Sequence, residues 1–302
     1  DEVLFRLSEE RGLNPEMAIS IANQSGWPEL EVRVGFAADM ASRNAERTKA
    51  AAKEKSKTDI FPSNDFPETS RDYYDDTTKT SFDAKILACH QLSDAQINLL
   101  ELSSEVEALP THYVVLDRTL FYPEGGGQLG DQGEIGKSRV LDTRIEGGVI
   151  FHLTDSEVPL GKVSGEVSWE RRSQLMDHHT AVHIIGGSSR ELLGPHIWQA
   201  GSSKGFRYAR IDLTHHSRLS RRELDMIEDH ANSIIEANTP IEKLVMQRAA
   251  ADEEFGFEIY QGGPPKQDEI RVIRIGDHDI QACGGTHHDS TGQIGELRII
   301  RS

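Results

Sequence analysis

The chain has 302 residues, 36% of them hydrophobic and 27% charged, and its formal net charge of −17 argues against a broad nucleic-acid-binding surface. No run approaches the roughly 20 apolar residues that cross a bilayer, and the first residues lack the basic start and apolar stretch of a secretory leader. The two cysteines, Cys89 and Cys283, are too few for a disulfide framework, so we expect a cytoplasmic protein with no membrane partner.

Residues 1–79 are predicted to form a helical leader and a linker. Asn14-Pro15 is typical of a helix start, which predicts a short helix over residues 14–25. The Ala, Glu, Lys and Arg content of residues 36–57 predicts a second helix that faces solvent. The Pro-, Asp- and Ser-rich residues 60–76 predict an irregular connection.

Residues 80–169 are predicted to form a small glycine-rich antiparallel β-barrel. The pattern changes here to short β-like runs separated by glycines and turn residues. The runs are residues 84–89, 112–118, 138–145, 148–153 and 162–169.

Residues 170–302 are predicted to form an α+β domain with an antiparallel sheet, and the chain as a whole is placed in the α+β class. Helical periodicity runs from residue 170 to 193 and stops at Gly194-Pro195, and a second helix is expected over residues 220–238. The β-like runs are residues 197–201, 206–213, 272–275, 279–283 and 295–300.

Two pairs of residues with metal-ligand spacing give the strongest functional signal in the sequence. His179 and His183 are four apart on the first helix of this domain, so both imidazoles point from one face. About a hundred residues later, Cys283 and His287 are again four apart, and Gly284-Gly285 lets the backbone turn sharply between them. Three imidazoles and one thiolate form a tetrahedral zinc shell, so the sequence predicts a zinc site.

Several alternatives for this site remain open. His178 and His288 are neighbours that could replace a ligand in a shifted register. Thr180 stands where a helical metalloprotease motif has its glutamate, which disfavours peptide hydrolysis. Four protein ligands also resemble a structural site without an open position, so the metal could hold the substrate instead of generating hydroxide. Spacing alone does not decide between these roles.

A group of arginines could form a local contact for RNA. A solvated helix start is the alternative, and charge alone favours it. The residues are Arg207, Arg210, Arg218, Arg221 and Arg222.

The motifs resemble those of one family. HTAVH followed by CGGTH, with FYPEGGGQ upstream, is similar to the motif set of the alanyl-tRNA synthetase editing domain and of the free-standing AlaX editing proteins. Residues 196–216, 259–287 and 290–300 resemble consecutive blocks of the archaeal-type synthetase, in the expected order. The likeness runs from about Ala84 to the end, and residues 1–79 more weakly resemble the stretch that joins the tRNA-recognition and editing regions.

The resemblance implies a fold, a set of site residues and a reaction. The fold would be the editing fold shared by threonyl- and alanyl-tRNA synthetases, and the reaction the hydrolysis of serine or glycine from the acceptor end of tRNA(Ala). Gln199 would line the pocket that senses the amino acid, and His215 matches a position near it. The glycines before Gln128 fit a tight turn or a contact with the RNA end; we favour the turn, with Gln128 as the functional member. The zinc ligands would be His179, His183, Cys283 and His287.

The sequence departs from the family pattern at two places, and its extent leaves alternatives open. Asp177 follows Met176 where the family usually has Arg, and His288 stands where Val is common. We expect a fragment of a synthetase whose ATP-dependent catalytic domain precedes Asp1 and whose dimerisation segment follows Ser302, so that this chain alone would not attach alanine to tRNA. A free-standing AlaX-type hydrolase and a non-catalytic zinc-stabilised tRNA-binding module are the alternatives.

Overall fold

The computed structural model describes residues 59–261 and 267–302, which belong to one compact unit. The helices predicted over residues 14–25 and 36–57 lie outside the described residues. Within the described ranges, the mixture of helices with antiparallel sheets that the sequence predicts is confirmed.

The first half of the described chain is built around a closed barrel. Its strands are β1 (Ser70–Arg71), β2 (Ser81–Gln91), β3 (His112–Leu116), β4 (Arg118–Thr119), β5 (Gly133–Ile135), β6 (Ser138–Glu146), β7 (Val149–Thr154) and β8 (Gly161–Val167). The barrel follows the order β2-β3-β7-β6-β5-β8 with antiparallel neighbours, while β1 and β4 form a short parallel pair. A short helix, α1 (Asp94–Leu99), lies between β2 and β3.

Alternation along β3 explains how the barrel is packed on both faces. Val114 and Leu116 belong to one apolar cluster with residues of β2, β5 and β8, whereas Tyr113 and Val115 belong to a second cluster. Successive side chains of a strand point to opposite faces, so one strand contributes to both. Phe61 covers the second cluster and stacks on Phe151 with ring centroids 4.4 Å apart. The Pro- and Asp-rich segment, predicted as an irregular connection, contains the short strand β1 and packs on the barrel through Phe61.

The second half of the described chain forms the α+β part. Its elements are α2 (Trp169–Leu193), β9 (Gln199–Lys204), β10 (Ala209–Leu213), α3 (Arg221–Glu236), β11 (Ile241–Gln247), α4 (Arg248–Phe255), β12 (Glu269–Ile275) and β13 (Asp279–Ala282). Strands β9 and β10 form a hairpin, and β11-β12-β13 form an antiparallel sheet.

The sheet lies between two helical layers. Ile273 and Ile275 of β12 pack in one cluster with residues of α2 and α3, and Ile270 and Val272 pack in another with Ala251 of α4. Burial on both faces fixes the register of β12, because a shift by one residue would exchange the two sets. The cluster that joins α2 and α3 to the sheet is also contacted by Cys283, the residue after β13.

The structure differs from the sequence prediction at three elements of this half. Strand β11 and helix α4 were not predicted, because β11 is half exposed and carries no continuous apolar run. The strand predicted over residues 295–300 is wrong: within the described residues the segment forms no strand and has no strand partner. Its backbone is held by α3 instead, since Leu297 N donates to Asn232 Oδ1 and Ile299 N donates to Glu228 Oε2.

Within residues 59–261 and 267–302, no helix combines the length and apolar character that spanning a bilayer requires.

Candidate metal centre

The four residues predicted as metal ligands converge in the structure. His179 and His183 extend from α2, and Cys283 and His287 belong to the turn that follows β13. One ligand atom from each lies within 4.8 Å of all the others. Cys283 Sγ is 3.4 Å from His179 Nε2 and 3.3 Å from His287 Nε2. Donors bound to one tetrahedral zinc ion are separated by roughly 3.3–3.6 Å, so the cluster fits zinc by donor type and spacing.

The two glycines before His287 are needed for this convergence. At Gly285, a Cβ would lie 2.0 Å from His179 Cε1, so no other residue fits without moving the ligand. At Gly284, the nearest contact of a Cβ would be the Tyr74 hydroxyl at 3.4 Å. Gly285 therefore allows the close approach of the turn to α2.

Each imidazole is oriented by a separate hydrogen bond through its Nδ1 atom. His179 Nδ1 donates to Gln128 Oε1 over 2.7 Å, and His183 Nδ1 donates to Asp279 Oδ2 over 3.0 Å. His287 Nδ1 is 3.1 Å from the Thr180 hydroxyl. With Nδ1 engaged, Nε2 is the nitrogen left to face a metal, which is the usual arrangement around metal-bound histidines.

The electrostatics of the cluster favour the metal-binding protonation state at Cys283 and His179, but not at His183. Burial acts to raise the pKa of the Cys283 thiol, but the neighbouring His179 and His287 outweigh it and hold the pKa well below its usual range. Burial lowers the pKa of His179 to about 4, so its imidazole is neutral. Burial also opposes charge on His183, but hydrogen bonds to Asp279 and Cys283 raise its pKa to about 9. A thiolate and neutral imidazoles are the forms that bind zinc, and a metal would displace a proton from His183.

The glycine-rich loop of FYPEGGGQ contacts the metal centre through its last residue. Gln128 is fully buried, and its Nε2 donates to Thr286 Oγ1 over 2.9 Å while its Oε1 accepts from His179 and from Thr286 N. Gly127 has a φ of +78°, and a Cβ there would lie 2.3 Å from the carbonyl oxygen of Ser202 in β9. The glycines form a tight turn against β9, which places Gln128 at the ligands.

Other residues support the site and were missed from the sequence. The Tyr74 hydroxyl donates to Gly284 O over 2.7 Å, and Arg271 Nη1 donates to Gly285 O over 2.6 Å. Thr77 Oγ1 donates to His287 O over 3.3 Å. Tyr74 and Thr77 gave no functional signal in a polar stretch. Asp279 could have been noticed, because it stands four residues before Cys283.

The other two predicted site residues, Gln199 and His215, make their hydrogen bonds to residues outside the ligand cluster. Gln199 begins β9, and its backbone N–H donates to Gln261 Oε1 over 3.1 Å. Within the described ranges, its side-chain amide has no hydrogen-bond partner and is partly exposed to solvent. His215 Nδ1 is 2.8 Å from His196 Nε2. Neither Gln199 nor His215 bonds to any of the four ligands in the part of the chain that the structure describes.

The alternative histidines have other partners. His178 Nδ1 donates to Gly205 O over 2.6 Å, so this imidazole faces the β9–β10 hairpin. His288 Nε2 is 2.6 Å from Asp177 Oδ1. The two positions that depart from the family pattern therefore contact each other.

Comparison with known proteins places the chain in a family. The model for tRNA synthetases class II (A) matches residues 1–171, and that for the threonyl and alanyl tRNA synthetase second additional domain matches residues 270–302. The chain is 37% identical over 308 residues to the alanine–tRNA ligase of Halorubrum lacusprofundi, covering 100% of this chain and 31% of that protein. It is 39% identical over 308 residues to that of Methanopyrus kandleri and 38% over 306 residues to that of Pyrobaculum neutrophilum, with 99% and 98% of this chain and 32% of each relative covered.

The chain thus spans about a third of the length of these curated relatives. The class II (A) match covers more than half of the chain, and the similarity to archaeal alanine–tRNA ligases runs through all of it. The resemblance that the motifs indicate is confirmed, and the chain belongs to the family of tRNA synthetases class II (A), in its alanyl-tRNA synthetase branch.

Proposed function

We propose that this chain is the editing part of an alanine–tRNA ligase, and that it hydrolyses the ester of serine or glycine wrongly attached to tRNA(Ala). The observation that carries the proposal is the cluster of three oriented imidazoles and one thiolate. It is built from the two motifs that resemble those of the editing domain. The match to the second additional domain covers Cys283 and His287, which supports the same assignment.

A need for editing follows from the size of the amino acids. A synthetic pocket that accepts alanine cannot exclude the smaller glycine, and it rejects an added hydroxyl only weakly. A second site that hydrolyses the wrong esters corrects both errors. The parent ligase would attach alanine to tRNA(Ala) with ATP through a part outside this chain.

Zinc is the metal we propose for the cluster, held by His179, His183, Cys283 and His287. When bound, it would hold or polarise the aminoacyl end of the substrate. All four positions are taken by protein donors, which favours a positioning role over the supply of hydroxide.

No ligand imidazole is free to act as a general base, because each Nδ1 atom is hydrogen-bonded. The attacking water would therefore be positioned by other groups, such as the backbone or a ribose hydroxyl of the substrate. Gln199 remains our proposed sensor of the amino acid, since its side-chain amide is uncommitted in the described part of the chain. His215 is a weaker proposal, because its ring is bonded to His196.

The acceptor end of tRNA(Ala) is the partner that this reaction requires. The arginine group predicted as a local RNA contact is partly engaged within the chain: Arg210 pairs with Asp212, and Arg221 pairs with Asp225. Arg207 lines a cavity of about 1080 Å³ beside the barrel, together with Arg139 and Arg171. Five glutamates line the same cavity, and Arg139 and Arg171 pair with Asp155 and Glu105. The cavity is therefore not a predominantly basic surface.

A deacylation assay tests the proposal. Seryl-, glycyl- and alanyl-tRNA(Ala) are incubated with the zinc-loaded chain, and ester loss is followed over time. We expect faster loss of the seryl and glycyl esters than of the alanyl ester, and in Cys283→Ala the loss of activity together with the zinc held by the four-residue cluster. Cys89→Ala is the matched control, because Cys89 lies in the barrel away from the ligands and should keep both.

The closed shell of four protein ligands also favours a second candidate, a non-catalytic zinc-stabilised tRNA-binding module. The same assay separates the two functions. A chain that contains zinc and binds tRNA but leaves the seryl ester intact would be such a module, and the editing proposal would fail.

A further inference from the structure

A second group of metal-binding side chains converges where α2, α3 and the turn between β12 and β13 meet. It consists of Glu191, His230 and His278, and one ligand atom from each lies within 4.8 Å of the others. His278 Nδ1 is 2.7 Å from Glu191 Oε1, and His230 Nε2 is 3.3 Å from Glu191 Oε2. We propose that these three residues bind a second divalent transition-metal ion, with zinc as the expected metal.

Hydrogen bonds on the far side of each ring orient both imidazoles toward the carboxylate. His278 Nε2 is 3.0 Å from Ile184 O, and since a carbonyl only accepts, this nitrogen carries the proton and Nδ1 faces Glu191. His230 Nδ1 is 3.0 Å from the buried Ser188 hydroxyl, which leaves Nε2 toward Glu191. Such outer hydrogen bonds are the usual means of fixing metal-bound histidines.

Helix α2 makes room for this arrangement at Gly187. A Cβ on this residue would lie 2.6 Å from His278 Nε2, so the imidazole occupies the space of the missing side chain. Glycine inside a helix is less favourable than alanine, so its place here fits a packing requirement. His278 fills the space beside Gly187, and its side chain is only 5% exposed. Packing against α2 therefore fixes the position of this imidazole.

The same donor set accepts either protons or a metal ion. In the metal-free chain, ring protons on His278 Nδ1 and His230 Nε2 satisfy the two contacts with Glu191 as hydrogen bonds. A metal ion bound by all three residues would replace these protons, and the 2.7 Å separation would open to about 3.3 Å. Two histidines and one glutamate are a ligand set that zinc uses when a fourth position is open to water. The side chain of Glu191 is 48% exposed, which leaves that position accessible.

The second site is independent of the proposed editing site, because the two share no ligand. Its ion would join the end of α2 to α3 and to the β12–β13 turn. We therefore expect it to stabilise the sandwich of helices and sheet, without a part in the hydrolysis.

Metal content and cobalt spectra test this inference without an activity assay. We expect the zinc-saturated, gel-filtered chain to hold about two zinc ions, and both His230→Ala/His278→Ala and Cys283→Ala to hold about one. In the Cys283→Ala chain, Co²⁺ should give ligand-field bands but no thiolate charge-transfer band, because only the second site would remain. His90→Ala removes an exposed histidine outside both clusters and should leave the metal content unchanged.

Glu191→Gln distinguishes the loss of a metal ligand from a loss of metal caused by misfolding. Glutamine keeps the shape of the side chain, and the position is partly exposed. The substitution should lower the affinity of the Cys283→Ala chain for Co²⁺ at least tenfold. The inference is overturned if the wild-type chain holds a single zinc ion, or if Glu191→Gln changes the melting temperature but not the binding of Co²⁺. The latter result would identify the cluster as an ion pair only.

Discussion

Replacing Gln128 by alanine should weaken zinc binding by about 10- to 100-fold, although this residue binds no metal in the proposed site. Its Oε1 accepts from His179 Nδ1 at 2.7 Å and from Thr286 N at 3.2 Å. The substitution leaves both N–H groups buried without an acceptor and frees the imidazole to rotate. A 10- to 100-fold loss corresponds to about 1.4–2.7 kcal/mol of binding free energy. The unpaired groups should also lower the free energy of unfolding by about 1–3 kcal/mol.

Competition titration against a chromophoric zinc chelator measures the affinity, and denaturant unfolding of the metal-free chain measures the stability. Gln132→Ala is the matched control, because the Gln132 amide makes one bond, to Leu141 O, and contacts no ligand. Gln128→Glu should recover part of the affinity, since a carboxylate still accepts the His179 proton. If Gln128→Ala binds zinc within twofold of the wild-type chain, the orientation of His179 by the barrel does not matter for the site.

Three further predictions concern other parts of the structure. Gly285→Ala should remove the zinc of the four-residue cluster, measured as the loss of about one zinc per chain, because the added Cβ would lie 2.0 Å from His179 Cε1. A double-mutant cycle of Asp177→Ala and His288→Ala, followed by urea unfolding, should give a coupling of about 1–3 kcal/mol for this largely buried pair. Burial lowers the pKa of His152 from 6.5 to about 4, so the unfolded chain takes up this proton at a higher pH than the folded chain. The free energy of unfolding should therefore have its full value above pH 6.5 and fall by about 1.4 kcal/mol per pH unit toward pH 4.

Each of these predictions has a control or a contrary outcome. Gly284→Ala should keep its zinc, because its Cβ meets nothing nearer than 3.4 Å. A coupling near zero would mean that Asp177 and His288 are independent departures from the family pattern. For His152, the comparison is the pH dependence of unfolding in His152→Gln. The variant should lose part of the slope between pH 6.5 and 4, and an identical slope would contradict the assignment.

The two residue pairs that we propose as metal ligands could be recognised in the sequence because their spacing is a local property. A helix places His179 and His183 on one face wherever it packs, and Gly285 gives the turn before His287 its close approach. The residues that orient them could not be predicted in the same way. Gln128 is 51 residues from His179, and Tyr74 is 210 residues from Gly284, so these contacts depend on how the barrel packs against α2.

The same distinction explains the errors in the fold. Strand β11 alternates partly buried and exposed residues and becomes a strand through its pairing with β12, which the local pattern does not reveal. Residues 295–300 have the composition of a strand, but α3 supplies their hydrogen bonds through Asn232 and Glu228. Asp177 and His288 looked like unrelated departures because 111 residues separate them, and only the fold brings them together.

The barrel and the α+β part were predicted as separate domains that meet between residues 169 and 170, but the chemistry of the site crosses this boundary. Arg172 of α2 is fully buried and pairs with Asp131 of the barrel, while its Nη2 also donates to Leu120 O and its Nη1 donates to Thr77 O. Breaking such a pair by removing one partner costs about 3–5 kcal/mol, because a charge is left buried. We infer that the boundary marks a change of secondary structure within one functional unit. The α+β part supplies the four proposed metal ligands, and the barrel orients His179 through Gln128.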